Sequence, residues 1–288
     1  MILQLNTAFK NILFSSKNHQ YFTKDGEELI SVTKLISKRK PKFNSDFWST
    51  LKAYEFSGYK TKPLFTSDGM NLKCFMANSD KIYLDQDHSN LQVTPEMVSL
   101  QWSIDSQVGT SRGTYCHNYL ENLENRLLDK PELNIPKGLT TIATINYVRS
   151  IDVANKLCNQ FLEDYSYLVP IAIEYKIGDL EMGVAGTLDR LYYNTRTNGL
   201  EIWDFKTDKK IASSNKYQKI RIFDIDDCEI SKYSIQTSLY KYIIEKNTDL
   251  KIDACNIAHL NIKNESVDVY ECTDYTKEIA NIPNWRNI

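Results

Sequence analysis

The stretch from residue 171 to residue 207 constrains this chain most. It reads as three successive strands, over residues 171–177, 183–193 and 200–207, with Gly178-Asp179 and Asn198-Gly199 in the connections. Such turn-forming pairs between short apolar runs specify antiparallel hairpins. The flanking segments carry a helical period instead. A long amphipathic helix is predicted over residues 139–165, ended by Pro170, and another over residues 230–246, followed by strands near 252–262 and 266–270. Helices, a three-strand meander, a helix and further strands make an α/β protein with a central mixed sheet flanked by helices.

Upstream the signals are more broken. Residues 21–30 read as a small β element around the turn Lys24-Asp25-Gly26, and Ser31 is placed to cap a short helix carrying Val32, Leu35 and Ile36 before Pro41. A helix is predicted over residues 46–56, with Gly58 past its end, while residues 60–92 look irregular. Thr94-Pro95-Glu96 opens a helix running towards Val108. Gly109 and Gly113 punctuate it, and a second helix is expected over residues 112–128. The expectation is a mainly helical N-terminal extension over residues 1–105 and a core over residues 106–288, packed as one globular unit.

Composition excludes several classes. With 42% hydrophobic and 25% charged residues, the chain has ordinary globular proportions, and ten glycines and seven prolines are too few for a fibrous or disordered protein. Its longest apolar runs fall far short of the roughly 20 residues that span a bilayer, so no membrane association is expected. Residues 1–14 lack the marks of a secretory signal, which leaves a cytoplasmic location as the expectation. The six cysteines are scattered singly without a C-x-x-C pair, and read as reduced, buried thiols rather than a disulfide, zinc or iron–sulfur framework. The net charge of −2 is neutral evidence on nucleic acid. Two basic patches matter more: residues 38–42, and residues 209–221 with Lys209, Lys210, Lys216, Lys219 and Arg221. Each is either a grip for phosphates or a solvated surface.

Chemistry concentrates in Trp203-Asp204-Phe205-Lys206-Thr207. Side chains alternate across a strand, so Asp204 and Lys206 share a face, roughly 7 Å apart, two strand rises. A carboxylate and an ammonium at that spacing can flank one ion and one water; an ion pair on an exposed strand is the alternative. Asp189 lies fifteen positions earlier, across one turn. Neighbouring antiparallel strands lie about 4.8 Å apart, so both aspartates can reach one Mg²⁺ or Mn²⁺ if the register aligns them. Glu174, on the first strand of the meander, is a further ligand, a hydrogen-bonding neighbour of the ligands or a surface residue. His117 shares a helix face with Glu121, which is a second candidate for that supporting role; a structural histidine is the alternative.

Gly113-Thr114-x-x-His117, Gly186-Thr187-x-Asp189, Asp204-x-Lys206 and Gln236-x-x-x-Tyr240 occur in this order. Together they resemble the PD-(D/E)XK nuclease superfamily, in particular the branch of RecB-type domains and the mitochondrial genome maintenance exonuclease. The resemblance covers residues 113–242, and Ser31-Val32-Thr33 is similar to a lead-in of phage members. It implies a restriction-endonuclease-like core in which His117, Asp189 and Asp204 bind one or two Mg²⁺ or Mn²⁺ ions and Lys206 is the catalytic lysine. Gln236 and Tyr240, one helical turn apart, would contact DNA or hold the ligands, and Lys209 and Lys210 would contact DNA. The family's proline is Leu188 here, which costs no ligand. No counterpart of the iron–sulfur cluster of some relatives is visible.

What the resemblance implies is a metal-dependent exonuclease on single-stranded or end-containing DNA in replication, repair or recombination, working with proteins of those processes. The N-terminal extension would then serve either as an arch that guides the strand or as a specificity surface. An endonuclease on DNA or RNA is one alternative, and a catalytically inert DNA-binding or assembly subunit of the same fold is another. Trp48 and Trp102 are candidates to stack unpaired bases, with core packing as the alternative.

Overall fold

The computed structural model describes residues 1–38, 42–66, 69–127, 129–215, 219–220, 223–282 and 285. Arg39, Lys40 and Pro41 of the first basic patch, Lys216 and Arg221 of the second, and Leu128 at the expected helix end lie outside the described residues.

The chain divides into two compact units, one of residues 1–40, 112–134 and 145–288, the other of residues 41–111 and 135–144. The first unit begins with helix α1 (Ile2–Ala8), strands β1 (Ile12–Ser15), β2 (Gln20–Thr23) and β3 (Glu28–Ser31), and helix α2 (Val32–Ser37). As the sequence predicts, Ser31 caps α2, its hydroxyl accepting from the Lys34 N–H at 3.1 Å. The second unit holds helix α3 (Ser45–Phe56) and an antiparallel meander of β4 (Thr61–Thr66), β5 (Gly69–Ala77) and β6 (Asp80–Tyr83). Phe47, Leu51, Tyr54, Phe75 and Ala77 form its core.

Helix α4 (Pro95–Glu124) is one helix of 30 residues, where the sequence suggested two. Gly109 does not interrupt it, because an interior glycine costs a helix only about 1 kcal/mol relative to alanine. Gly113 does not interrupt it either, and a Cβ there would make only an ordinary contact, 3.6 Å from the Thr207 Oγ1. There follow α5 (Thr141–Asp164), the meander β7 (Leu168–Asp179), β8 (Val184–Asn194) and β9 (Gly199–Lys206), and a short hairpin of β10 (Lys219–Ile220) and β11 (Ile225–Asp226). Helix α6 (Glu229–Asn247), strands β12 (Ala254–Asn261) and β13 (Ser266–Glu271) and helix α7 (Thr276–Ala280) complete the chain.

The fold is α/β, with a mixed eight-stranded sheet in the order β1-β2-β3-β8-β9-β12-β13 and β7 also paired to β8. The expected boundary at 105/106 therefore moves. Residues 28–31 belong with the core, because Ile30 and Ser31 pair in parallel with Val184 and Ala185 of β8. Among the described residues the N-terminal hundred also hold six strands, so they are less helical than the sequence suggested. The β4–β6 meander escaped sequence reading because Pro63 sits inside a strand and the register slips beside it, between Pro63 and Leu64, which breaks the alternation.

Strand β7 runs along one edge of β8 from Val184 to Asn194. The opposite edge is shared: β3 takes Val184 and Ala185, and β9 takes Arg190 to Asn194. Between them, at residues 186–189, β8 changes partners.

Candidate metal centre

Asp189 and Asp204 lie one step beyond the last β8–β9 pair, Arg190 with Trp203. The strands part there, and the Asp189 Oδ2 accepts the Phe205 N–H at 3.1 Å in place of a ladder carbonyl. A carboxylate thus satisfies a buried donor that the end of the ladder would otherwise orphan. Glu174 sits opposite on β7, between the paired residues Ile173 and Tyr175, with its backbone in the left-handed region at φ 46°. A non-glycine residue held there inside a strand is strained, a condition that clusters at ligand sites.

Helix α4 supplies His117. Its Nδ1 lies 3.2 Å from the Glu174 Oε1 and 3.5 Å from the Asp189 Oδ2, and its Nε2 lies 3.1 Å from the Phe205 carbonyl oxygen. One ligand atom each from His117, Glu174 and Asp189 lies within 4.8 Å of the other two. Two ligands on an ion about 2.1 Å away stand no more than about 4.2 Å apart, so small rotations of these side chains close the triad on one cation. An imidazole nitrogen and carboxylate oxygens form a hard to borderline donor set, suited to a divalent ion. The residues present fit such an ion.

Asp204 does not join that triad. Its oxygens are held by the Lys206 ammonium and by the Gln236 side-chain amide, which donates to Oδ1 at 3.1 Å. The Asp204 side chain is only 3% exposed. Burial above all, then the charge of Asp189, pushes its carboxyl up to about 6, against the pull of Lys206. Burial works the other way on Lys206, but Asp204 and Asp189 outweigh it and raise the ammonium's pKa. The lysine therefore carries its proton at neutral pH. Burial would likewise lower His117, yet the charge of Asp189 and the hydrogen bond to Glu174 push it up to about 9. Without an ion, an imidazolium stands among the carboxylates.

Of the other residues chosen from sequence, Gln236 and Tyr240 face the centre from α6, the Gln236 amide also lying 3.4 Å from the Tyr240 hydroxyl. Tyr240 is buried and packs so close to Gly186 that a Cβ there would meet its ring at 2.6 Å. That contact is why β8 needs glycine at this position. Glu121 is half-buried and lines an open recess with His117 and Glu174, outside the triad. Lys209 and Lys210 are exposed, just past the end of β9. Trp48 is half-buried against the core of the second unit, and the Trp102 ring lies 5.9 Å from that of Phe43.

Sequence reasoning missed the support beneath the triad. Arg190 is wholly buried, its Nε 2.5 Å from the Glu124 Oε2 and its Nη1 3.2 Å from the Glu174 Oε1. The Tyr192 hydroxyl donates to the other Glu124 oxygen. Tyr233 was missed as well; its ring lies under the Lys206 ammonium, 5.0 Å away, and its hydroxyl donates to Asp208. A lone Glu or Arg on a helix or strand ordinarily faces solvent, so only the proximity of Arg190 to Asp189 hinted at this pair. All six cysteines are buried free thiols. Among the described residues no helix is long and apolar enough to cross a membrane.

No model of a known protein family matches the chain, and no curated protein matches it.

Proposed function

We propose that this protein is a divalent-metal-dependent nuclease that hydrolyses DNA phosphodiester bonds, with Mg²⁺ or Mn²⁺ at the His117–Glu174–Asp189 triad and exonucleolytic action on single-stranded or end-containing DNA. The observation that carries the reading is the convergence of that triad with the Asp204–Lys206 pair where β8 changes partners. A bound divalent ion supplies positive charge to a phosphodiester oxygen and acidifies a water. The chain does the rest. Asp189 and Glu174 orient His117, Gln236 holds Asp204 in one rotamer, and Asp204 keeps Lys206 charged. That ammonium is placed to orient the attacking water and to stabilise charge developing on the phosphorus oxygens. Exposed Lys209 and Lys210 are suited to flanking phosphates, a salt-sensitive contribution.

The test is metal-dependent cleavage of end-labelled single- and double-stranded DNA by the wild type and Asp204→Ala. Cleavage should vanish in the variant while DNA binding persists, and wild-type rates in the variant overturn the assignment. A sealed circle digested alongside a linear strand separates entry from an end, which spares the circle, from internal cutting.

A further inference from the structure

A recess of about 350 Å³ opens beside the triad, with Asp189, Asp204 and Lys206 on its floor. Its outer wall is the β1–β2 hairpin, which contributes Phe14, His19 and Tyr21. Phe14 and Tyr21 are paired across the ladder with ring centroids 4.8 Å apart, and the His19 ring stands edge-on to Phe14 at 5.2 Å. Tyr21 is buried and tied by its hydroxyl to the Thr187 Oγ1 at 2.9 Å, two residues from Asp189, so the hairpin is anchored to the strand that carries the centre. Phe14 remains half-buried and His19 exposed, at a turn where its φ of 51° is left-handed. None of these rings belongs to the His117–Glu174–Asp189 triad.

We infer that this hairpin is a stacking wall for one unpaired nucleotide of a DNA strand, the nucleotide next to the phosphodiester that is cut. The inference rests on the nuclease reading of the same floor. The recess lies at the lower end of the roughly 300–1,000 Å³ of small-molecule sites, room for one base with its sugar and too little for a base pair. Aromatic faces accept every base, because each has a π-surface. A base held in a duplex cannot lie against the rings of the hairpin without leaving its stack. Lys176 lines the same recess, its ammonium 3.0 Å from the Glu174 carbonyl oxygen, and brings positive charge beside the next phosphate. The substrate this geometry takes is therefore single-stranded, or a duplex end frayed by at least one nucleotide.

The experiment uses full-length protein in EDTA, so that nothing is cut, and a short single-stranded DNA with 2-aminopurine at successive positions. Stacking quenches this base analogue. The wild type should quench one position strongly. The Phe14→Leu/His19→Ala variant keeps apolar bulk in the hairpin; it should lose that quench and bind the single strand about fivefold or more weakly, since stacking contributes about 1–3 kcal/mol per base. Phe14→Trp should retain both, and a blunt duplex of the same sequence should bind all three proteins alike. Unchanged quenching in the double variant, or an equal loss on the duplex, overturns the inference. Cleavage with Mn²⁺ is scored separately. A protein that quenches but never cuts sinks the nuclease reading and leaves the stacking wall; one that cuts without quenching does the reverse.

Discussion

Replacing Arg190 with methionine should destabilise the protein by about 3–5 kcal/mol, the usual cost of orphaning one member of a buried ion pair. The Arg190 and Glu124 side chains are 0% and 3% exposed, and the guanidinium reaches Glu124 and Glu174 at 2.5 and 3.2 Å. Methionine keeps most of the chain's bulk against Phe205, over whose ring the guanidinium lies at 5.7 Å, so lost packing is a small part of the change. What remains is a Glu124 carboxylate with the Tyr192 hydroxyl beside it, in a place water barely reaches. For a chain of this length each kcal/mol lowers the melting temperature by about 2 °C, so a fall of roughly 6–10 °C is expected. Thermal unfolding followed by circular dichroism measures it. Arg190→Met/Glu124→Met removes both charges and should recover part of the loss, because apolar replacement of a whole buried pair is often neutral or better, while the buried Tyr192 hydroxyl loses its acceptor. A single variant melting within about 2 °C of the wild type, or a double variant no better than the single, refutes the argument that unpaired charge is the cost.

A Mn²⁺ titration by calorimetry should show binding that Asp189→Ala abolishes, and Glu174→Gln should weaken it by tenfold or more; no loss in either removes the triad. Because His117 sits at about 9 without an ion, ligation must expel its proton, and Mn²⁺ affinity should rise about tenfold per pH unit between pH 7 and 8.5. Asp204 is already ionised in that window, so a flat profile points away from His117 as a ligand. Gly186→Ala should cost about 1–3 kcal/mol through overpacking against Tyr240, and Gly186→Ala/Tyr240→Leu should be less destabilised than the two single effects summed. Burial would raise the Asp179 carboxyl, but Asn247, the Met182 N–H and Lys246 together hold it below the usual range. Its contribution is therefore present above about pH 4 and is lost as pH falls through the lowered value, a decline that Asp179→Asn should flatten in acid melts.

The legible parts of the sequence were those written in local patterns. The meander of β7, β8 and β9 and helices α5 and α6 lie within a few residues of their predicted bounds, because turn signals and helical periods act within each segment. Gly178 and Asp179, expected in the first connection, instead end β7, paired with Ala185 and Val184, and the turn falls at residues 180–183. Asp204 and Lys206 share a face as alternation requires, and Gln236 and Tyr240 meet across one helical turn. Non-local pairing was hidden. Nothing in Glu28–Ser31 announces a parallel partner more than 150 residues away, and nothing in Glu174 announces a backbone twisted out of the strand to aim its carboxylate. The division of labour between the aspartates was hidden too: alternation places both near one ion, but only the parting of the strands sends Asp189 to the triad and Asp204 to Lys206 and Gln236.

That parting also explains why polar groups belong at this point of the fold. A β8 edge left without a neighbour at residues 186–189 cannot be sealed by more sheet, because β3 and β9 already occupy its two ends. Each nearby group is met by a different device instead. Tyr240 covers Gly186, the Tyr21 hydroxyl takes Thr187, and the Asp189 carboxylate turns to the Phe205 N–H. An apolar residue at position 189 would strand that donor in a closed interior, at about 1–3 kcal/mol. Asp189 thus has a structural task that persists without any ion, whereas Glu174, strained and a quarter exposed, shares the Arg190 guanidinium with Glu124 and hydrogen-bonds His117, the residue it would ligate an ion with. Comparing the two carboxylates separates structure from function: Asp189→Asn, which keeps an acceptor for Phe205, should fold nearly as well as the wild type, and Glu174→Gly, which relieves the left-handed backbone, should fold as well or better. Both should lose metal affinity. Loss of stability without loss of affinity, in either variant, would mean that the gap in the sheet is filled for folding alone.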